Sequence, residues 1–183
     1  MRTTYVVLLR GINVGGDTRL LMADLRALLE GLGHQNIATY IQSGNVVLNS
    51  DLANDALSRG IEEALHERAN LDVPVIVRNR DELAAVAEQH PFAAVESDEA
   101  KLHVMFLADA PAADAIANLD AAQFAPDTFT IEGREMFIHY PNGAGRSKLN
   151  INRVERALGT TATGRNWRTV AKLLEMANDA HRT

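Results

Sequence analysis

The order in which short apolar runs alternate with helical stripes restricts this fold more than any other feature of the sequence. Tyr5–Leu9 is a continuous apolar run of strand length; after a glycine-bearing loop, Leu21, Met22, Leu25, Leu28, Leu29 and Leu32 recur at helical spacing. Gly31 and Gly33 close that helix, Ile37–Ile41 reads as a second strand, Ser43-Gly44-Asn45 as a turn and Val46–Leu48 as a third strand. Leu57, Ile61, Ala64 and Leu65 mark a second helix, and Val73–Val77 a fourth strand. Pro74 cannot donate a ladder hydrogen bond, which sends that strand to a sheet edge. The order β-α-β-β-α-β is that of a ferredoxin-like unit, whose fourth strand is an edge.

The order then begins again. A helix with Leu83, Val86 and Ala87 on one face leads through His90-Pro91 to the acidic stretch Glu96–Glu99, a boundary between halves. Beyond it, Leu102–Leu107 reads as a strand, Ala112–Leu119 as a short helix, and Thr128–Ile131 with Met136–Tyr140 as a hairpin about Gly133. Leu149–Leu158 reads as a helix, Thr161–Thr163 as an extended piece, and Trp167, Val170, Leu173, Leu174 and Ala177 as one face of a closing helix. The predicted fold is α+β, with two ferredoxin-like β-α-β-β-α-β units in tandem, 1–95 and 96–183. Each is an antiparallel sheet with helices on one face.

Charge is distributed unevenly. The chain carries a net −6, but 146–172 holds seven basic residues (Arg146, Lys148, Arg153, Arg156, Arg165, Arg168, Lys172) against Glu155 alone, so +6 there leaves −12 elsewhere. The overall sign opposes indiscriminate nucleic-acid binding. A basic face on an acidic body points to a local anionic partner, a phosphate-bearing small molecule or a nucleic acid; the alternative is a solvated face that offsets the acidic remainder. Zero cysteines exclude disulfides, thiolate nucleophiles and Cys-ligated zinc. The six histidines show neither H-x-H nor H-E-x-x-H spacing, so neither a metal nor a cofactor is expected. No apolar stretch approaches the ~20 residues of a membrane span, and Tyr5–Leu9 lacks a signal-peptide core. The expectation is a cytoplasmic protein with no membrane association.

Three loops concentrate polar and basic residues: Arg10-Gly11-Ile12-Asn13-Val14-Gly15-Gly16, Gln42-Ser43-Gly44-Asn45, and Gly143–Lys148 with its companion Arg165-Asn166-Trp167. Strands one and two of a β-α-β-β-α-β unit are parallel, so the first two loops emerge at one end of the sheet. Glycines between a strand and a helix let N–H groups approach an anion, although the spacing matches neither the dinucleotide nor the P-loop fingerprint; Gly15 and Gly16 otherwise serve a tight turn. In the third loop Ser147 is the expected N-cap, with Arg146 and Lys148 beside the positive end of its helix; Asn166 caps the last helix, flanked by Arg165 and Arg168. Cations at two helix starts favour a bound anion. Trp167 reads as a core anchor.

YVVLLRGINVGG, TYIQSGNVV, GRSKL and ATGRNWRTVAKLL together resemble, over nearly the whole chain, the bacterial family of uncharacterised proteins known as domain of unknown function 1697. The resemblance implies two ferredoxin-like units and no established activity. Its recurrent positions fall on Arg10, Gly11, Asn13, Gly15, Gly16, Tyr40, Gln42, Ser43, Gly44, Asn45, Ser147, Lys148, Arg165, Asn166, Trp167 and Thr169. Gly164, where members usually carry threonine, and His90, where asparagine is commoner, are departures.

The expected function is binding of a phosphate-bearing small molecule or short RNA in a cleft between the halves. Arg10, Lys148 and Arg165 would supply charge, and Asn13, Gln42, Ser43 and Asn45 orientation, with Gly15, Gly16, Ser147 and Asn166 completing the site. The alternatives are an enzyme of phosphoryl or nucleotidyl transfer, and loops that are purely structural.

Overall fold

The computed structural model describes residues 2–15, 18–88 and 90–182. Two compact units emerge from packing: residues up to Ala85, together with the chain from Lys172 onward, form unit 1, and Val86–Ala171 form unit 2. The tandem repeat follows chain order, whereas this division follows packing, because the end of the last helix returns to unit 1. There Asn49 Nδ2 donates to the carbonyl of Ala180 at 3.3 Å, and Thr4 Oγ1 lies 3.5 Å from His181 Nδ1.

Unit 1 contains β1 (Thr3–Leu9), α1 (Met22–Gly31), β2 (Gln35–Tyr40), β3 (Asn45–Ser50), α2 (Asn54–Ala69) and β4 (Val75–Asn79). Its sheet order is β2-β3-β1-β4, with all neighbours antiparallel. That is the ferredoxin-like order, with β4 at the edge as that order requires. The strand starts two residues later than the apolar run does: Pro74 precedes it and uses its carbonyl to accept the N–H of Arg10 at 2.9 Å. The alternating residues Tyr5, Val7 and Leu9 of β1 meet Leu25, Leu29, Ile61 and Leu65 of the two helices in one core. The opposite face is also buried, and it carries Val6, Leu8, Val47, Ile76 and Arg78.

Helix α3 (Arg80–Glu88) carries the chain from unit 1 into unit 2, where β5 (Leu102–Leu107), α4 (Ala113–Ala117), β6 (Thr128–Glu132), β7 (Glu135–His139), α5 (Ile151–Leu158) and β8 (Ala162–Asn166) repeat the order. The sheet reads β6-β7-β5-β8, again antiparallel throughout. Met105, Leu107, Met136 and Ile138 pack with Val154 and Leu158 of α5 in a second core. Helix α6 (Trp167–His181) begins where β8 ends. Among the described residues no helix is long and apolar enough to cross a membrane.

Candidate functional site

The strand-to-helix loop of unit 1 is built around one inward and one clamping residue. Ile12 is fully buried. Asn13, held in the left-handed region at φ 55°, donates from Nδ2 to the carbonyls of Leu20 (2.8 Å) and Gln42 (2.7 Å). Its Oδ1 accepts from the N–H of Leu20 at 3.0 Å, and its own N–H reaches the carbonyl of Thr18 at 2.8 Å. The loop and the β2–β3 hairpin are thus joined at one end of the sheet, as parallel β1 and β2 require. The hairpin is equally determined. Asn45 is buried and donates to the carbonyl of Tyr40 and to Ser43 Oγ, at 3.1 and 3.0 Å. Gly44, at φ 74°, lies so close to the loop that an added Cβ would sit 2.7 Å from Leu9 Cβ and 2.9 Å from Ile12 Cδ1.

Several of the expected ligand residues therefore act first on the protein itself. Asn13, Ser43 and Asn45 hold the loops, and Arg10 is half-buried with its N–H on Pro74. Gly16 lies outside the described residues. What faces outward is a pocket of about 340 Å³ lined by Asn13, Gly15, Arg19, Leu20, Leu21 and Gln42. Leu21 in its lining is an exposed apolar residue, and so are Val14 and Ile41, next in sequence to Asn13 and Gln42. Ile41 adopts φ 48°. For a β-branched residue that conformation is strained by roughly 1–2 kcal/mol, and it holds an apolar side chain out in solvent.

The second cluster is organised differently from its sequence expectation. Ser147 does not cap α5; Asn150 does, with its side chain accepting from the N–H of Arg153. Ser147 Oγ instead donates to the buried carboxylate of Asp127 at 2.5 Å and accepts from the N–H of Leu149 at 2.8 Å. Tertiary partnership decided between two good capping residues. Arg165 belongs to β8 rather than to a loop and is only 8% exposed. It donates to Thr163 Oγ1 at 2.8 Å and to the carbonyl of Gly164 at 2.7 Å, and burial lowers its pKa to about 10. Asn166 does cap α6, accepting from the N–H of Thr169 at 2.9 Å. Arg168 is met by Asp98 and Glu99 at 3.4 and 4.0 Å. Arg153 stacks on Phe124 and bonds Gln123, and Lys172 pairs with Glu175. Lys148 and Arg146 remain exposed on their loop. Within the basic window, carboxylates thus meet Arg168 and Lys172, and neutral groups meet Arg153 and Arg165.

Sequence reasoning missed Arg78. It is 1% exposed and donates to the carbonyl of Val77 at 3.0 Å, as Arg165 does to that of Gly164. Its register partner is Val6 in β1, and that of Arg165 is Val104 in β5. Asn79 follows it and caps α3, accepting from the N–H of Glu82 at 2.8 Å and donating its own N–H to Glu82 Oε2 at 2.8 Å. The signal was in the sequence: Arg-Asn at 78–79 and again at 165–166, each at the end of a fourth strand that runs directly into a helix.

These features define a protein of two ferredoxin-like units, each closing its fourth strand on a buried arginine and a capping asparagine, with an outward pocket at the strand-to-helix loop of the first. The chain belongs to the family described as protein of unknown function (DUF1697), which matches residues 2–137. It is similar to a solved structure, the conserved bacterial protein SP0830 from Streptococcus pneumoniae, at 23% identity and a TM-score of 0.76, over 97% of this chain and 99% of that one. At that identity the likeness shows the fold. No curated protein matches the chain.

Proposed function

We propose that this protein is a cytoplasmic binding module that holds a phosphate-bearing small molecule in the pocket beside the 10–21 loop. One observation carries the reading: α1 starts on Leu21, which offers no side-chain cap, at a pocket that Leu21 and Arg19 line together. The first-turn N–H groups of a helix need acceptors, and an anion in the pocket meets them while pairing with Arg19. Gln42 supplies an orienting amide, and Val14, Leu21 and Ile41 offer apolar surface to the rest of the ligand. A volume of about 340 Å³ suits a small molecule better than a polymer.

For the second cluster a structural role is favoured, because Arg165 is buried and bonded to its own strand. Ligand binding stabilises only the native state, so mononucleotides or pyrophosphate should raise the unfolding temperature of the full chain in proportion to their affinity. Arg19→Ala should reduce that shift and Lys148→Ala should keep it. A shift that stays undiminished in Arg19→Ala, or none with any phosphate compound, rules the reading out.

A further inference from the structure

We infer that unit 1 carries a second anion site, for a small hydroxylated phosphate ester, at the end of its sheet opposite the 10–21 loop. There β1 begins, the antiparallel β4 ends and α6 finishes, and together they enclose a pocket of about 270 Å³. The seven residues of β1 separate it from the loop pocket by roughly 20 Å. Two arginines and a histidine drawn from distant parts of the chain, Arg2, Arg80 and His181, line it beside Thr3 and Thr4.

Arg80 is the centre of the site. Its Nη2 pairs with Asp81 at 2.8 Å, yet its Nε is buried and has no hydrogen-bond partner. A buried donor without an acceptor is costly, and a part-exposed guanidinium that one carboxylate holds through Nη2 can turn to give its remaining donors to the oxygens of a phosphate. Unit 2 provides an internal control. Arg168 stands at the corresponding helix start, one residue further beyond its Arg-Asn pair, and the protein meets it with Asp98 and Glu99. In unit 1 Asp81 is the one described acidic residue that pairs with Arg80, which leaves donors of Arg80 for a ligand.

Arg2 is oriented by a bond from Nε to Asp51 at 3.0 Å. Its positive field also adds to burial in lowering the pKa of His34. Threonine side chains at the start of β1 and the exposed carboxylate of Asp81 suit the hydroxyls of an ester, and the volume fits a short carbon chain.

Titration of the full-length, isotope-labelled protein with glycerol 3-phosphate, followed by amide chemical shifts, tests the site. Saturable shifts at Thr3 and Thr4 are expected, with Arg80→Gln weakening the Kd at least about tenfold and Arg19→Ala leaving it unchanged. Arg2→Gln should weaken it less, and serves as the decisive variant if Arg80→Gln does not fold. Glycerol should produce no shift. The inference is overturned if Thr3 and Thr4 fail to saturate by about 10 mM ligand, or if the folded variants bind as the wild type does. Because shifts at Gly15 and Gln42 report the loop pocket separately, failure at one site cannot be mistaken for failure at the other.

Discussion

The β2–β3 hairpin of unit 1 and the β6–β7 hairpin of unit 2 occupy the same place in the same sheet order, yet their glycines meet very different surroundings. Gly44 lies against Leu9 and Ile12, its carbonyl accepts the N–H of Leu9 at 2.9 Å, and Gln42, two residues before it, is tied to Asn13. Around Gly133 an added Cβ would meet nothing nearer than the Glu135 carboxylate at 3.9 Å. Both hairpins are tied to the end of a neighbouring strand, since the Arg134 carbonyl accepts the N–H of Leu107 at 2.8 Å, but of the two glycines it is Gly44 that is wedged against side chains. The bracing matters for function because a ligand pocket needs its walls held by groups that are themselves held. Unit 1 fixes its loop with a buried isoleucine and a four-bonded asparagine, and the outward side chains of that loop become dependable.

The largest test of this contrast is at the two glycines. Both have positive φ, 74° and 60°, so alanine is strained at each by about 1–2 kcal/mol. At Gly44 the clash with Leu9 and Ile12 adds to the strain, and Gly44→Ala should cost about 3–5 kcal/mol in chemical denaturation. Gly133→Ala should cost only the backbone part. Equal losses would mean that the first hairpin is no more tightly braced than the second.

Next in size come the repeated arginines. Arg78→Ala and Arg165→Ala each remove a buried side chain and strand its acceptors, and each should lower stability by about 2–4 kcal/mol in phosphate-free buffer. The expectation for Arg165 reverses what a ligand-binding arginine would do, since removing a repelled cation from an empty basic site would leave stability unchanged or higher. A neutral Arg165→Ala beside a damaging Arg78→Ala would break the equivalence of the units and return Arg165 to the ligand-binding set.

The contrast also shows what the chain discloses before it is folded. Element order, the edge position of β4 and the meeting of Asn13 with the 42–45 hairpin were legible because apolar period and strand direction are local and topological properties. The cap of α5 was not legible: Ser147 and Asn150 are both good caps, and the choice is made by Asp127, twenty residues away. Burial of Arg165 was hidden for a similar reason, since a cation at a strand end reads as exposed unless its face of the sheet is known. The Arg2, Arg80 and His181 pocket joins residues from the two ends and the middle of the sequence. No spacing rule could have found it.

Smaller effects are expected at the polar clamps. Asn13→Ala should cost about 1–3 kcal/mol, because it removes side-chain bonds to two carbonyls and one N–H and places alanine at positive φ. Asn13→Gly, which relieves only the backbone part, should recover part of that loss. Ser147→Ala removes one donor from Asp127 and one acceptor from Leu149, and should cost about 1–2 kcal/mol. If Asn13→Ala proved the milder of the two, the first loop would not be the more firmly built.

The smallest difference, and the one confined to acid, is expected at Glu96 in unit 2. Its Oε1 accepts the N–H of Asp98 at 2.9 Å, and its Oε2 lies 3.2 Å from both His139 Nε2 and Lys101 Nζ. The Asp98 N–H does most to lower its pKa from the ordinary 4.5 to about 2; burial opposes this, and the His139 and Lys101 bonds assist it. Because the folded protein depresses this pKa, the stabilisation is complete above about pH 4.5 and is lost as pH falls through about 2. Wild type should therefore exceed Glu96→Gln in stability at neutral pH, and the two should converge between pH 4.5 and 2. Hydrogen exchange places the effect: protection in β5 and β7 should respond to the substitution, while β1 and β3 of unit 1 should not. A gap between the proteins that stays constant across this range would show that the carboxylate gains nothing from being ionised there. Loss of protection in unit 1 as well would show that the units do not open separately.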